Sequence, residues 1–455
     1  VMETHGYAVV GAGPMGLACV RALTRAGLPV TGLELHTDVG GLWDVENPHS
    51  TMYDSAHLIS SRHMTEFAEH PMDPAGAAYP HHSEVRDYLA SYAERFDLRS
   101  HYELGTRVVS ARPHEAGWEL VTEHDGEQRT RVFEGLLVAS GTLHTPRLPQ
   151  LPGEFAGTVL HSSQYRSPSV FTGQRVLVVG CGNSGADIAV DAVHHAASVD
   201  LSVRRGYHFL PKFVAGRPID TLGGRLRLPR AVKQRVDGAL IRGLVGRPSD
   251  YGLPDPDYRL YESHPVVNSL VLHHLGHGDI TARRDIAAIE GRRVTFGDGE
   301  SAEYDVLLLA TGYELDYPFL DRDDLAWPAG ADAPQLYLNV FHPERDDLFV
   351  MGMVEATGLG WEGRHQQALL VARYLAHRRA GTGATDALDR ARRERSTQRE
   401  DGGYDYLPLA RMAYYVDKQT FLDALSAHLD ELPELAELPG PPAASARGAG
   451  ERVHA

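Results

Sequence analysis

Cysteine is the scarcest residue type in this chain of 455 residues, which contains only Cys19 and Cys181. Each lies at a different glycine-rich stretch, so we expect neither a disulfide between them nor a disulfide-held fold. Long apolar runs are missing too, since no stretch approaches the roughly 18 residues of a membrane span. The first residues, VMETHGYAVV, enter a predicted strand directly and show no secretory signal. These features predict a cytoplasmic protein.

Positive charge is in deficit: 44 Lys and Arg stand against 61 Asp and Glu, for a net charge of −17. Such a surface does not favour a nucleic acid or an anionic membrane as partner. Hydrophobic residues make up 42% and charged residues 23%, as in an ordinary globular protein. A chain of this length is too long for one core and indicates at least two domains.

Histidine is plentiful, with 25 residues, and the stretch HHLGHGD at 273–279 resembles a metal site at first sight. It lacks a His-Glu-x-x-His pattern and any Cys partner. We interpret it as a solvated helix end and predict no metal site.

A strand–glycine loop–helix–strand unit opens the chain. An apolar run at 7–10 leads into GAGPMG, then a helical stretch LACVRALTRAG and a strand LPVTGLELH. Gly11, Gly13 and Gly16 supply the tight turn, the close approach of backbone to a pyrophosphate, and close helix packing. Glu34, at the end of the second strand, would accept hydrogen bonds from a ribose diol and repel a 2′-phosphate. The unit predicts a site for FAD or NAD.

The same pattern restarts at RVLVVGCGNSGADIAVDAV, with Gly180, Gly182 and Gly185 in its loop. The strand that follows ends in Arg204 and Arg205, where the first unit has Glu34. Guanidinium groups pair bidentately with phosphate, so this loop favours a dinucleotide with a 2′-phosphate, NADPH. The alternative is two solvated arginines at a strand end.

We predict an α/β protein with two nested Rossmann-like dinucleotide-binding domains, the second inserted in the first. A strand at 304–313 is predicted to complete the first sheet, and Thr311-Gly312 at its end would let backbone approach a flavin, or form an ordinary turn. The predicted ranges are an FAD-binding part at 1–150, an NADPH-binding domain at 151–300 with a mixed insert at 211–275, a second FAD-binding part at 301–432 and a disordered tail at 433–455. Two dinucleotides, one of them NADPH, imply hydride transfer and thus a flavin-dependent oxidoreductase.

The segment between the two units, FAGTVLHSSQYR, carries Phe155, Gly157, His161 and Tyr165. With GAGPMG, GGLWD, GCGNSG, RRG and ATGY in the same order, it resembles the fingerprint of class B flavoprotein monooxygenases of the flavin-containing monooxygenase type. The resemblance covers roughly residues 5–430 and implies a glutathione-reductase-like arrangement. It implies that the fingerprint connects the two cofactor domains, with an organising role for His161.

The resemblance also implies the cofactor contacts. For FAD these are Gly11, Gly13, Pro14, Met15, Gly16, Glu34, Gly41, Leu42, Trp43, Val109, Thr311, Gly312 and Gln366. For NADPH they are Gly180, Gly182, Asn183, Ser184, Gly185, Arg204 and Arg205. Trp43 could equally be a core residue.

One departure concerns the residues near the flavin. Many members carry an Asn in a pattern like N-x-x-K, whereas this chain has ISSR at 59–62. Arg62 would replace the lysine, and Ser60 or Ser61 would supply a hydroxyl or merely form a turn. These three residues are the candidate catalytic residues.

The implied function is an NADPH- and O2-dependent monooxygenase in which a flavin hydroperoxide oxygenates the nitrogen or sulfur of a small soluble amine or thioether. Tyr165-Arg166 departs from the Trp followed by Pro or Asp of Baeyer–Villiger members, which favours nitrogen or sulfur oxidation. The alternatives are a Baeyer–Villiger or decarboxylating oxygenase of the same superfamily and an NADPH-dependent electron-transfer flavoprotein. The absence of a Cys pair argues against a disulfide reductase, and a homodimer is left open.

Overall fold

The computed structural model describes residues 4–222 and 229–435. Most of the tail predicted at 433–455 lies outside the described residues. Cys19 and Cys181 are buried and free, as predicted. The histidine-rich stretch forms the end of a helix, where His274 Nδ1 lies 2.9 Å from an Asp279 carboxylate oxygen.

The first part of the chain builds one sheet and three helices. Its elements are β1 (Thr4–Val10), α1 (Pro14–Arg25), β2 (Val30–Leu33), α2 (Arg62–Thr65), α3 (His82–Arg95), β3 (Tyr102–Glu103), β4 (Thr106–His114), β5 (Gly117–His124) and β6 (Glu127–Val138). The strand order is β3-β2-β1-β6-β5-β4. β1 is parallel to both neighbours, so Val9 pairs with Gly32 on one side and Leu137 on the other.

The middle of the chain builds a second parallel sheet. Its elements are β7 (Thr145–Pro146), β8 (Gly153–Phe155), β9 (Thr158–His161), β10 (Arg175–Val179), α4 (Asn183–Ala192), β11 (Ser198–Ser202), β12 (Phe213–Val214), β13 (Arg217–Pro218), α5 (Arg230–Val245), α6 (Leu270–His277), β14 (Ile280–Arg283), β15 (Ile286–Gly291), β16 (Arg293–Phe296), β17 (Ser301–Glu303) and β18 (Val306–Leu309). The second sheet has the order β14-β11-β10-β18-β9. A smaller sheet, β17-β16-β15-β8, packs beside it.

The last part returns to the first sheet. It contains β19 (Tyr313–Glu314), β20 (Leu348–Val350), α7 (Glu362–Ala380), α8 (Asp386–Glu394) and α9 (Lys418–Glu431). β20 pairs with β6 in parallel. The second sheet is thus built from strands that lie, in the chain, between strands of the first, and the predicted nesting is confirmed.

One detail of the nesting was predicted wrongly. The strand expected to complete the first sheet is β18, which instead lies between β10 and β9 of the second sheet. β20 completes the first sheet instead. The run VLLL of β18 is apolar throughout and suits the centre of either sheet, so the sequence alone did not show to which sheet it belongs. We place the end of the inserted domain after Leu309 rather than at residue 300.

Apolar residues explain why the two sheets are buried. All four residues of β18 and the last four of β1 are buried, as expected for central parallel strands covered on both faces. α1 buries Leu17, Ala18 and Leu23 together with residues of α7 in one hydrophobic cluster. In the ranges 4–222 and 229–435, no helix has both the length and the apolar character needed to cross a bilayer.

Candidate active site

Both glycine loops lie at the carboxyl ends of their sheets. The amide of Gly11 donates to the carbonyl of Leu33 at 2.8 Å, and that of Gly180 donates to Ser202 at 2.9 Å. Gly13 caps α1 and Gly182 caps α4, and neither cap has a side chain bonded to the helix amides. Each helix therefore presents free amides and the positive end of its dipole, which suits a pyrophosphate.

The space around the glycines fits two dinucleotides. Gly11 and Gly180 have φ of +111° and +101°, which favours glycine. A Cβ on Gly16 would lie 1.8 Å from the Gly11 carbonyl oxygen, and one on Gly185 would lie 2.0 Å from that of Gly180. A Cβ on Gly182 would meet nothing within 4 Å, so the second loop is open on the side from which a pyrophosphate would approach.

Glu34 lies against the first loop. Its Oε2 accepts from the amide of Ala12 at 2.5 Å, and its Oε1 accepts from that of His36 at 2.8 Å. Burial raises the pKa of Glu34. Each oxygen keeps a second lone pair, so the carboxylate can accept from ribose hydroxyls without losing its backbone contacts.

Arg204 and Arg205 follow β11, as the sequence predicted. Arg204 is exposed, and no ion pair involves it among the described residues. Arg205 Nε lies 3.2 Å from Asp257 Oδ1, and its side chain is 36% exposed. A guanidinium without a fixed carboxylate partner is available to a phosphate.

The predicted FAD contacts at 41–43 pack on the first loop. Gly41, Leu42 and Trp43 form a 3₁₀ turn, and a Cβ on Gly41 would lie 2.8 Å from the Gly13 Cα. The Ser50 hydroxyl donates to the Leu42 carbonyl at 2.5 Å. All three predicted residues keep partial exposure, and Trp43 also packs against the hydrophobic cluster that contains Leu17 and Leu23.

The remaining predicted FAD residues lie on three elements, α1, β4 and α7. Pro14 and Met15 begin α1, directly after the first glycine loop. Val109 stands at an irregularity of β4 and is 38% exposed. Gln366 lies in the second turn of α7, and its Oε1 is buried without a hydrogen-bond partner in the described structure. That acceptor is free for a ligand N–H.

Thr311 and Gly312 lie beyond the end of β18. The Thr311 hydroxyl donates to the Arg147 carbonyl at 2.6 Å, and Gly312 has φ of +84° with nothing within 4 Å of a built Cβ. The turn therefore belongs to the second sheet and leaves open space at its tip.

Position 157 of the fingerprint has no room for a side chain, so it requires glycine. A Cβ there would lie 2.4 Å from the Asp305 carbonyl oxygen and 2.5 Å from the Phe155 ring. The main chain before β9 therefore passes directly under that ring. Phe155 packs in turn on the small cluster containing Leu177 and Tyr304.

His161 joins the fingerprint to the Thr-Gly turn. Its Nε2 donates to the Gly312 carbonyl at 3.1 Å, so its Nδ1 is the acceptor for the Ser163 amide at 3.1 Å and hydroxyl at 2.9 Å. Burial lowers the pKa of His161. A neutral imidazole with both nitrogens engaged holds the backbone at Gly312 and Ser163 in place.

Tyr165 is anchored by an aspartate of α4, one of two on that helix that sequence reasoning missed. Its hydroxyl donates to Asp191 Oδ2 at 2.5 Å, and the Ser55 hydroxyl donates to the same oxygen at 2.9 Å. One turn earlier on α4, Asp187 accepts from the Tyr53 hydroxyl at 3.3 Å. The i, i+4 spacing of the two aspartates after the second glycine loop was the available signal.

The candidate catalytic residues are not equivalent. The Ser60 hydroxyl lies 2.7 Å from Thr65 Oγ1, and the Arg62 guanidinium donates to main-chain carbonyls of the loop at 74–77. Ser61 is fully buried, and its hydroxyl has no partner in the described structure. Its amide donates to Asp220 Oδ2 at 2.6 Å, from the inserted domain.

Comparison with known proteins places these features in a family. The family model described as "FMO-like: Flavin-binding monooxygenase-like" matches residues 5–438. Flavin-containing monooxygenase 5 of Rattus norvegicus is 32% identical over 390 residues, covering 78% of this chain and 70% of the relative.

Solved structures share the fold. S-allyl-L-cysteine S-oxygenase from Allium sativum superposes with a TM-score of 0.63 at 20% identity, over 95% of this chain and 89% of the other. Cyclohexanone monooxygenase from Rhodococcus sp. Phi1 bound to NADP⁺ gives a TM-score of 0.67 at 19% identity, over 95% and 98%. At these identities the likeness shows the fold alone.

Proposed function

The chain belongs to the flavin-binding monooxygenase-like family, and we propose that it oxygenates a nitrogen or sulfur atom of a small soluble molecule. As a member it is an FAD- and NADPH-dependent monooxygenase. In the balanced reaction NADPH, a proton, O2 and the substrate give NADP⁺, water and the oxygenated product. FAD, when bound, supplies the electron transfer and oxygen activation, so the chain needs no acid–base pair of its own for that chemistry.

The observation that carries the cofactor assignment is the contrast between the two glycine loops. A carboxylate, Glu34, closes the first, and guanidinium groups, Arg204 and Arg205, follow the second. The first suits the ribose of FAD, and the second suits the 2′-phosphate of NADPH.

Several further side chains hold the segments around the two glycine loops in place. His161 fixes the Gly312 carbonyl, and Asp187 and Asp191 hold the segment at 53–55 against α4. Ser61 presents a buried hydroxyl from the segment predicted to lie near the flavin. We propose that Ser61, rather than Ser60, supplies the hydroxyl in place of the missing Asn side-chain amide.

A substrate panel tests the proposal. Purified, FAD-loaded protein is supplied with NADPH and O2 and a tertiary amine, a primary amine, a thioether, a cyclic ketone or an α-keto acid. We expect an N- or S-oxygenated product in amounts close to the NADPH consumed. An ester from the ketone, or loss of CO2 from the keto acid, would assign the protein to the Baeyer–Villiger or decarboxylating alternative instead.

An electron-transfer role has a separate signature. NADPH would be oxidised and a ferredoxin or dye reduced, with no oxygenated product from any member of the panel. Whether the chain forms a homodimer, which the sequence leaves open, is tested independently by light scattering of the same preparation.

A further inference from the structure

The segment at 410–416 crosses the gap between the two sheets. Its backbone runs beside the chain that leaves β20: the amide of Glu355 donates to the Tyr414 carbonyl at 3.3 Å, and that of Val416 donates to the Glu355 carbonyl at 2.8 Å. Glu355 follows the carboxyl end of β20, so the segment lies on the cofactor side of the first sheet.

Tyr415 ties the same segment to the inserted domain. Its hydroxyl lies 2.7 Å from Thr357 Oγ1 and 3.0 Å from His264 Nδ1. The residues after His264 are held by Asn183, the first residue of α4, whose Oδ1 accepts from the amide of Val267 at 2.8 Å. The segment therefore faces the second glycine loop as well.

Arg411 belongs to this segment and has only a weak partner. Its Nη2 lies 3.5 Å from Glu355 Oε2, at the limit of a hydrogen bond. The Arg411 side chain is 42% exposed, against 15% for that of Glu355. A guanidinium has five N–H donors, so most of its donors remain available within the described structure.

The electrostatics place Arg411 with the arginines of the second loop. Burial raises the pKa of Tyr207, and the positive charges of Arg204, Arg411 and Arg205 oppose that rise. Three guanidinium groups thus lie near one phenol in a chain of net charge −17. His264 adds no charge, because burial and Arg411 lower its pKa well below the ordinary value.

We propose that Arg411 binds the pyrophosphate of NADP(H) from the wall opposite the second glycine loop, with Glu355 as its partner when the nucleotide is absent. Arg204 and Arg205 would hold the 2′-phosphate at the adenosine end, and α4 would present its amides to the pyrophosphate. The proposal rests on NADP(H) as the cofactor and is independent of the oxygenated substrate.

Calorimetric titration of the full-length, FAD-loaded protein tests it with two nucleotides. The pyrophosphate is common to NADP⁺ and NAD⁺, whereas only NADP⁺ has the 2′-phosphate. We expect Arg411→Gln to weaken both by the same factor, roughly tenfold or more for a charged hydrogen bond. Arg204→Gln should weaken NADP⁺ by a similar factor and leave NAD⁺ nearly unchanged.

Two further variants separate binding from folding. Arg411→Lys should recover part of the lost affinity, because it keeps the charge but not the bidentate fork. Glu355→Gln removes the carboxylate that pairs with Arg411 when no nucleotide is bound. This variant should bind NADP⁺ as tightly as the unmodified protein or more tightly. Melting temperature and flavin content of each variant show whether it is folded.

Three results would overturn the proposal. Unchanged dissociation constants for both nucleotides in Arg411→Gln would make the Arg411–Glu355 pair a purely structural contact. A loss confined to NADP⁺ would assign Arg411 to the 2′-phosphate. A raised KM for an anionic substrate at unchanged nucleotide affinity would assign it to the substrate.

Discussion

The hydroxyl of Tyr165 donates to the carboxylate of Asp191 at 2.5 Å, and this contact fixes the fingerprint to the helix that follows the second glycine loop. The Tyr165 ring also stacks on Phe171, with centroids 5.3 Å apart. An aromatic residue without a hydroxyl would keep the stacking and lose the tie to α4.

Tyr165→Phe is therefore expected to lower the free energy of unfolding by about 1–3 kcal/mol, because it removes a hydrogen bond to a charged, partly buried carboxylate. Urea denaturation measures the loss. Tyr53→Phe is the matched control, since its hydroxyl lies at the longer distance of 3.3 Å from Asp187. An equally large loss of unfolding free energy in Tyr53→Phe would show that the shorter Tyr165–Asp191 hydrogen bond stabilises the fold no more than the longer one.

Gly157→Ala should destabilise the protein through a clash with the Asp305 carbonyl oxygen, 2.4 Å from the added carbon. We expect a loss of about 1–3 kcal/mol, as for other overpacked sites. Gly238→Ala in α5 is the control, because nothing lies within 4 Å of its Cβ and alanine favours a helix interior. The two variants should move the unfolding midpoint in opposite directions.

Stability should fall on acidification through His161. Its pKa is lowered in the folded protein, so below the unfolded value of about 6.5 the unfolded chain binds the extra proton first. Unfolding free energies measured between pH 7 and pH 5 should decrease, with a shallower slope in His161→Gln. An unchanged slope in this variant would mean that other buried histidines carry the whole effect.

The Arg204→Ala, Arg205→Ala double variant should lose its preference for NADPH over NADH by tenfold or more, from the loss of phosphate-binding guanidinium groups. The ratio of kcat/KM for the two cofactors measures this. Arg129→Ala is the control, because that side chain is 73% exposed on the first sheet. A retained preference in the double variant would show that the basic pair does not read the 2′-phosphate.

Ser61→Ala should fold normally, because the hydroxyl has no partner in the described structure, yet release more H2O2 per NADPH. Rapid mixing of the reduced protein with oxygenated buffer, followed by flavin absorbance, measures how quickly oxidised flavin returns. Ser60→Ala serves as control, since that hydroxyl is already engaged by Thr65. Equal behaviour of the two variants would remove Ser61 from the proposed site.

Local signals in the sequence were sufficient to predict the two nucleotide sites. Gly11, Gly16, Gly180 and Gly185 stand where a side chain would clash or where φ is positive, and such constraints involve residues close in the chain. The opposite charges of Glu34 and Arg204 are likewise evident from the sequence, because the two residues follow equivalent strands of the two repeated units. The sequence therefore determined the fold class, the nesting and the two cofactors.

Tertiary structure decided which elements meet across long distances. β18 pairs with β10 rather than with the first sheet, because a uniformly apolar strand fits the centre of either. The bonds from Ser55 to Asp191 and from Tyr415 to His264 depend on how the two domains approach each other. No local pattern encodes that approach, since it is set by packing over whole sheets.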